Sequence, residues 1–195
     1  MRRRKELAIL MRVVVLALVI GAVITAPVQA DPAGKVKGAI TGLALTVDPA
    51  GNPALYESQY IWNIHQVGDG EAAMGYSTSK MRTTQTEWTV VKFEFDCLRF
   101  FATEDGRSAA IYSGRIVRAQ QPDWVFQMFG DWVGRLGIGM VIDGGPEGLD
   151  EVYFWSPEGT FFYPDEGAPL ACVVPEGSLM IPFFVTGGDV EVRMP

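Results

Sequence analysis

Apolar and polar residues alternate along most of the chain after Lys35, and a period of two predicts strands. The clearest run is WTVVKFEFDCLRFFATEDGRSAAIYSGRIV, residues 88–117. Its first half puts Val91, Phe93 and Phe95 on one face and Lys92, Glu94 and Asp96 on the other. The alternation slips at Cys97-Leu98, and a β-bulge there would let Leu98 and Phe100 rejoin the core face. Glu104-Asp105-Gly106 turns the chain, and Ala110, Tyr112, Gly114 and Ile116 return along it. Gly68-Asp69-Gly70 marks a second hairpin, and DPAGKVKGAITGLALTVDPAGN reads as a strand closed by a Pro/Gly turn. Leu136, Ile138, Met140 and Ile142 alternate with Gly137 and Gly139 between them. Two last extended runs, Leu179–Val185 and Asp189–Arg193, are joined by Thr186-Gly187-Gly188. Turn signals about every ten residues predict an all-β fold, an antiparallel β-sandwich or a partly open barrel.

One segment departs from this pattern. In QPDWVFQMFGDWVGR, residues 121–135, the apolar side chains of Trp124, Val125, Met128, Phe129 and Trp132 recur at helical spacing. Pro122 suits the start of a helix and Gly130 interrupts it, which predicts one short helix or wound loop near 122–133. Such a piece plugs the open end of a β fold, covers a hydrophobic pocket, or offers an aromatic platform to sugar rings. The candidate ligand-binding residues are therefore Trp124, Phe126, Met128, Trp132 and Trp155, with Phe161, Phe162 and Tyr163 as neighbours.

The start of the chain reads as an address. MRRRKELAILMR is basic, Val13–Thr25 is apolar, and Val28 and Ala30 stand at the small-residue positions of a cleavage site. The expectation is a signal peptide over residues 1–30 and a single β-rich domain over 31–195, secreted or periplasmic. No stable membrane insertion is expected once the leader is removed. The leader carries five basic residues and one acidic, so 11 of the 16 basic and 22 of the 23 acidic residues remain, a net charge of −11. Such a chain repels phosphate backbones, which excludes nucleic acid as a partner, and it suits divalent cations. Cys97 and Cys172 both survive cleavage, and in an oxidising compartment two such thiols are expected to pair.

VIDGGPEGLDEV, Val141–Val152, concentrates the acidic chemistry. Asp143, Glu147 and Asp150 are ligands that calcium would accept, since hard cations take several oxygens from a bendable loop. The order of residues matches neither an EF-hand nor a calcium-binding β-roll repeat. The alternative is a strand connection whose glycines take positive φ and whose aspartates bond the loop's own amides. No cofactor other than calcium is indicated. The same carboxylates could serve a glycan hydrolase, the main catalytic alternative. Ser77-Thr78-Ser79-Lys80 matches S-x-x-K in letters, without the companion motifs of that enzyme class. His65 is the only histidine, so His-based metal clusters are excluded, and no G-x-S-x-G is present.

From Phe93 onward the chain resembles a loose family of exported bacterial β-domains. CLRF at Cys97–Phe100, AIYSG at Ala110–Gly114, VIDGGPEGLDEV, the Cys172 region and VTGGDVEV near the end carry the resemblance. It implies antiparallel β structure, a signal peptide and one domain, and it brings no activity with it. The aromatic Pro122–Val133 segment and the longer start depart from the family pattern. The expectation is an exported, non-catalytic binding or envelope-associated module for a glycan or a small hydrophobic ligand. A glycan hydrolase, or a surface protein that self-associates through strand edges, is the alternative. The sequence does not set the oligomeric state.

Overall fold

A computed structural model describes residues 34–84, 87–146, 148–157, 162–164 and 172–195. The expected signal peptide over residues 1–30 lies outside the described residues, as do Glu147 and Phe161. Eight strands follow one another: β1 (Lys35–Val47), β2 (Pro53–Gln66), β3 (Ala73–Arg82), β4 (Trp88–Ala102), β5 (Ser108–Gln120), β6 (Leu136–Ile142), β7 (Glu151–Ser156) and β8 (Leu179–Arg193). Each pairs antiparallel with the next, and β8 returns to pair with β1, from Lys35↔Arg193 to Ala44↔Phe183. The all-β expectation holds, with one short helix. The single sheet closes into a barrel instead of splitting into a sandwich or staying partly open.

Strand length and bulges explain the closure. β1, β2, β4, β5 and β8 run 13 to 15 residues, long enough for the right-handed twist to accumulate into a coil. Register shifts leave Asp96 unpaired on β4, Val117 on β5 and Thr186 on β8, and each extra residue sharpens the local bend. The bulge on β4 falls one residue before the sequence slip. Beyond it Leu98 is fully buried and Phe100 packs on the core, while Cys97 turns to the outer wall. The Thr186 bulge also turns the two expected C-terminal runs into one continuous strand, β8.

Two strands present small residues to the interior. On β6 the apolar set faces outward and Gly137 and Gly139 face in, because aromatic rings from neighbouring strands fill their space. A Cβ on Gly137 would lie 2.5 Å from Phe93 Cε1, and one on Gly139 would lie 2.6 Å from Tyr112 Oη. Leu136 and Ile138 are buried all the same, under a strap of chain that follows β7 and contributes Tyr163 and Val174. Tyr163 and Leu136 exchange two backbone hydrogen bonds of 3.0 Å, and a Cys97–Cys172 disulfide fastens the strap across the outer wall. On β3 the inward residues include Ser77 and Ser79, where the flanking strands supply Tyr60, Trp62, Val91 and Phe93.

The barrel's two ends differ. At the lower end, loops 67–72, 103–107 and 143–150 surround a solid core of Val36, Ile64, Leu98, Val141, Val152 and Val190. At the upper end lie loops 48–52 and 83–87, the helix segment between β5 and β6, and the strap. Outward positions on β1, β2 and β4 carry Lys35, Lys37, Glu57, Asn63, Lys92 and Glu94, and the outer surface also exposes apolar side chains such as Leu45, Leu55, Ile61, Met74 and Phe184.

Candidate functional site: an aromatic cavity under the upper end

Helix α1 (Asp123–Phe129) spans seven residues. Pro122 precedes it with the extended backbone of a residue outside the helix, and its carbonyl accepts the amides of Val125 and Phe126 at 3.0 and 3.1 Å. Gly130, at φ +72°, ends the helix in the left-handed region. The chain after it is held by Gln121, whose side-chain oxygen accepts the Trp132 amide at 3.2 Å while its nitrogen donates to Gly130 O at 3.0 Å. Arg135 donates to Phe129 O at 2.8 Å and so covers a free carbonyl of the last turn. These contacts drive Trp132 into the top of the barrel, where it is 2% exposed.

Of the five residues expected to bind a ligand, Trp132 and Trp155 line one cavity, whereas Trp124, Phe126 and Met128 lie away from it. Trp132 is core, and Trp155, half-buried, packs with Leu136 and Ile138 and reaches the cavity rim. Trp124 is half-buried against the core, while Phe126 and Met128 sit on the outer face of α1, 52% and 43% exposed. Only one of the four rings in α1 and the following loop is well exposed, so no stacking platform for sugar forms there. Beneath Trp132 lies a cavity of about 90 Å³. Its ceiling is Trp132 and Phe162, ring centroids 5.0 Å apart, and Phe93 meets Phe162 at 5.7 Å. Its walls include Tyr60, Trp62, Phe154 and Phe183, with Tyr60 against Phe154 at 4.9 Å and Phe183 at 5.0 Å. The room exists because β3 supplies Ser77 and Ser79 to this layer.

The polar side-chain groups that line this cavity are hydroxyls and the indole N–H groups of Trp62, Trp132 and Trp155. Ser77, Ser79, Thr89, Ser156, Tyr60 and Tyr112 line it, and among the described residues no charged side chain does. Burial pushes the Tyr60 phenol up to about 12, partly offset by its contact with the Ser79 hydroxyl. Burial pushes Tyr112 up as well, against the Trp62 side chain that faces it. Both therefore keep their protons at any physiological pH. Thr89 Oγ1 is buried with no hydrogen-bond partner among the described residues.

No family model matches the chain, and no curated protein or solved structure matches it. Its chemistry rests on its own geometry. Ser77 faces the interior, while Lys80 lies on the outer wall over the Trp88 ring at 4.4 Å, so the S-x-x-K letters do not form a nucleophile and base. His65 stands on β2, and its Nδ1 finds no hydrogen-bond partner among the described residues. Alternation alone does not mark Ser77, Ser79 and Thr89 as lining residues, because polar residues on a strand read as its solvent face.

The acidic glycine loop lies at the opposite end. Gly145 has φ +67°, whereas Gly144 and Gly148 are small for another reason. A Cβ on Gly148 would lie 2.2 Å from Gly144 O, and one on Gly144 would lie 2.5 Å from the Leu149 backbone. Asp143 accepts the Gly145 amide at 2.7 Å and Asp150 the Gly144 amide at 2.9 Å, as the strand-connection reading expects. Their other oxygens reach further, Asp150 to the Val190 amide at 2.7 Å and Asp143 to the Val192 amide at 3.0 Å. β7 has six residues and its register with β8 stops at Val152↔Phe183, so the far half of β8 has no strand on that side. The two carboxylates take the place of the missing strand. Burial pushes the Asp150 carboxyl above the ordinary range, against the pull of its two amides. Among the described residues, the metal-ligand side chains that converge are Glu71, Cys97 and Cys172, and those two sulfurs are bonded to each other.

Replacing Asp150 by Asn keeps one acceptor and turns an NH₂ toward a second amide. The expected cost is about 2 kcal/mol of unfolding free energy, the scale of one buried donor left unmade. Urea unfolding measures it, and a loss below about 0.5 kcal/mol would remove the clip from the account of barrel closure.

Proposed function

We propose that this chain is an exported, non-catalytic binding module that holds a small hydrophobic ligand in the upper half of its barrel. The observation that carries the proposal is the break in an otherwise aromatic interior, where Ser77 and Ser79 leave a cavity under Trp132 and Phe162. Small ligands bind in concave, mostly apolar sites with a few placed polar groups, and barrel mouths are a favoured location. The disulfide suits a protein in an oxidising compartment. The aspartates of the acidic loop stand at the far end with their oxygens engaged, which weighs against the hydrolase and against calcium. Closure pairs the first and last strands, which weighs against association through strand edges.

The cavity of about 90 Å³ is smaller than the ~150 Å³ site that accommodates benzene, so a ring enters by displacing a side chain. Phe162 is that side chain, half-buried at the rim and carried by the strap beside the anchored Tyr163. Saturating toluene is expected to raise the thermal midpoint of the wild-type protein, because a ligand that binds only the folded state stabilises it. In Ser79→Leu the added methyl groups occupy the site and the rise should disappear. No stabilisation of the wild type, or equal stabilisation of both proteins, would refute the proposal.

A further inference from the structure

Ser77, Ser79 and Thr89 stand together on one side of the cavity, on two adjacent strands. We infer that the ligand is a neutral ring bearing a hydroxyl, a phenol, whose oxygen lies against this side and pairs with Thr89. This rests on the binding reading above. The register sets the neighbours. Ser77 and Ser79 are two residues apart on the inward face of β3, and Ser79 lies opposite Tyr60 on β2 and Val91 on β4. Thr89 precedes Val91 by two residues on the same face of β4, which makes it a diagonal neighbour of Ser79. Across the barrel, β7 and β8 contribute Phe154, Ile181 and Phe183. The Ser156 hydroxyl on that side donates to Pro157 O at 3.2 Å. A ring with one polar edge fits between the two sides in one orientation, its hydroxyl toward β3 and β4.

Thr89 decides between a hydrocarbon and a phenol. It is 1% exposed, it lines the cavity, and its Oγ1 has no hydrogen-bond partner among the described residues, whereas Ser79 is in contact with the Tyr60 hydroxyl. A buried hydroxyl without a partner is costly, and a ligand oxygen beside it relieves the cost. A ligand hydroxyl serves in either sense, since it accepts the Thr89 proton or donates to the Thr89 oxygen. A hydrocarbon of the same shape would enter and leave Thr89 unmade. An ionised ligand would lose its hydration without gaining a counter-ion, since no charged side chain lines the cavity among the described residues.

The test compares phenol with toluene, which has a methyl group in place of the hydroxyl, by NMR titration of the full domain at neutral pH. Phenol gives up more hydration than toluene on entering an apolar site, so a cavity with no hydrogen bond to offer selects toluene. The wild type is expected to bind phenol at least as tightly as toluene. Thr89→Val, which exchanges the hydroxyl for a methyl group of the same shape, should weaken phenol about tenfold and leave toluene within about twofold. Thr89→Ser keeps the hydroxyl and should hold phenol within about threefold of the wild type. Tighter binding of toluene than of phenol by the wild type overturns the hydroxyl assignment while the cavity reading survives. Phenol binding undiminished in Thr89→Val overturns the pairing with Thr89. If neither ring binds, the binding reading falls and takes this inference with it. The wild-type comparison decides the matter even if a variant fails to fold.

Discussion

Replacing Cys97 and Cys172 together by serine should lower the unfolding free energy by about 4 kcal/mol, the largest loss expected from any exchange of polar side chains here. The bond closes a loop across a sequence separation of 75, and the chain-entropy model converts that span into the stated figure. The folded barrel itself need not change, because the bond lies on the outer wall and the β4–β5 and β5–β6 registers do not depend on it. What changes is the strap. Cys172 is buried beside Ile111 O at 3.5 Å, and Tyr163 is held by Leu136 and by a 2.6 Å bond from its hydroxyl to Ser178. Without the disulfide the strap is held by those hydrogen bonds and by the packing of Phe162 on Phe93 and Trp132. Dissociation of a bound probe such as toluene should therefore quicken in the serine variant. Urea titration gives the first quantity and NMR exchange the second. A stability loss below about 1 kcal/mol would show that the strap holds itself in place, and the disulfide would then contribute little.

Trp132→Ala should cost about 3–5 kcal/mol, the range for removing a large aromatic side chain from a core. Trp132 is 2% exposed, fixed through its amide by Gln121 and packed on Phe129 and Phe162. The same substitution enlarges the cavity from above. Ring ligands larger than toluene should then bind to the variant, provided that enough stability remains, and differential scanning calorimetry with and without naphthalene reads both effects. Trp124→Ala removes a half-buried side chain at the margin of the core and should leave toluene binding unchanged. A destabilisation by Trp132→Ala no greater than that by Trp124→Ala would show that the ceiling is not part of the core.

Most of the strand order was legible because turns and alternation are local. The hairpins at Gly68-Asp69-Gly70 and Glu104-Asp105-Gly106, the inward set Val91, Phe93 and Phe95, the bulge near Cys97 and the helix ended by Gly130 all rest on a few neighbouring residues. Closure was not legible, since it depends on β1 meeting β8 about 150 residues away, which no local pattern encodes. The binding cavity was hidden by the same rule that revealed the strands. On β3 and β6 the small or polar residues face inward and larger apolar ones face out, Met74 and Tyr76 exposed and Leu136 and Ile138 covered by the strap. An alternation count assigns both strands to the wrong face. The acidic loop was half legible. Its aspartates bond the local amides as expected, but their reach to Val190 and Val192 follows from the shortness of β7, a property of another element.

The order of the strands also fixes how the molecule must be made. Every neighbour in the barrel is a neighbour in sequence except one pair, β1 with β8. A growing or translocating chain can zip β1 through β7 as successive hairpins, each closing a short loop. Until β8 has emerged, the product is an open, curved sheet with the β1 backbone from Lys35 to Ala44 unpaired along one edge and an aromatic interior facing water. That species is the aggregation-prone one. Release of the whole chain before the sheet folds avoids it, whereas stalling before β8 has emerged would populate it.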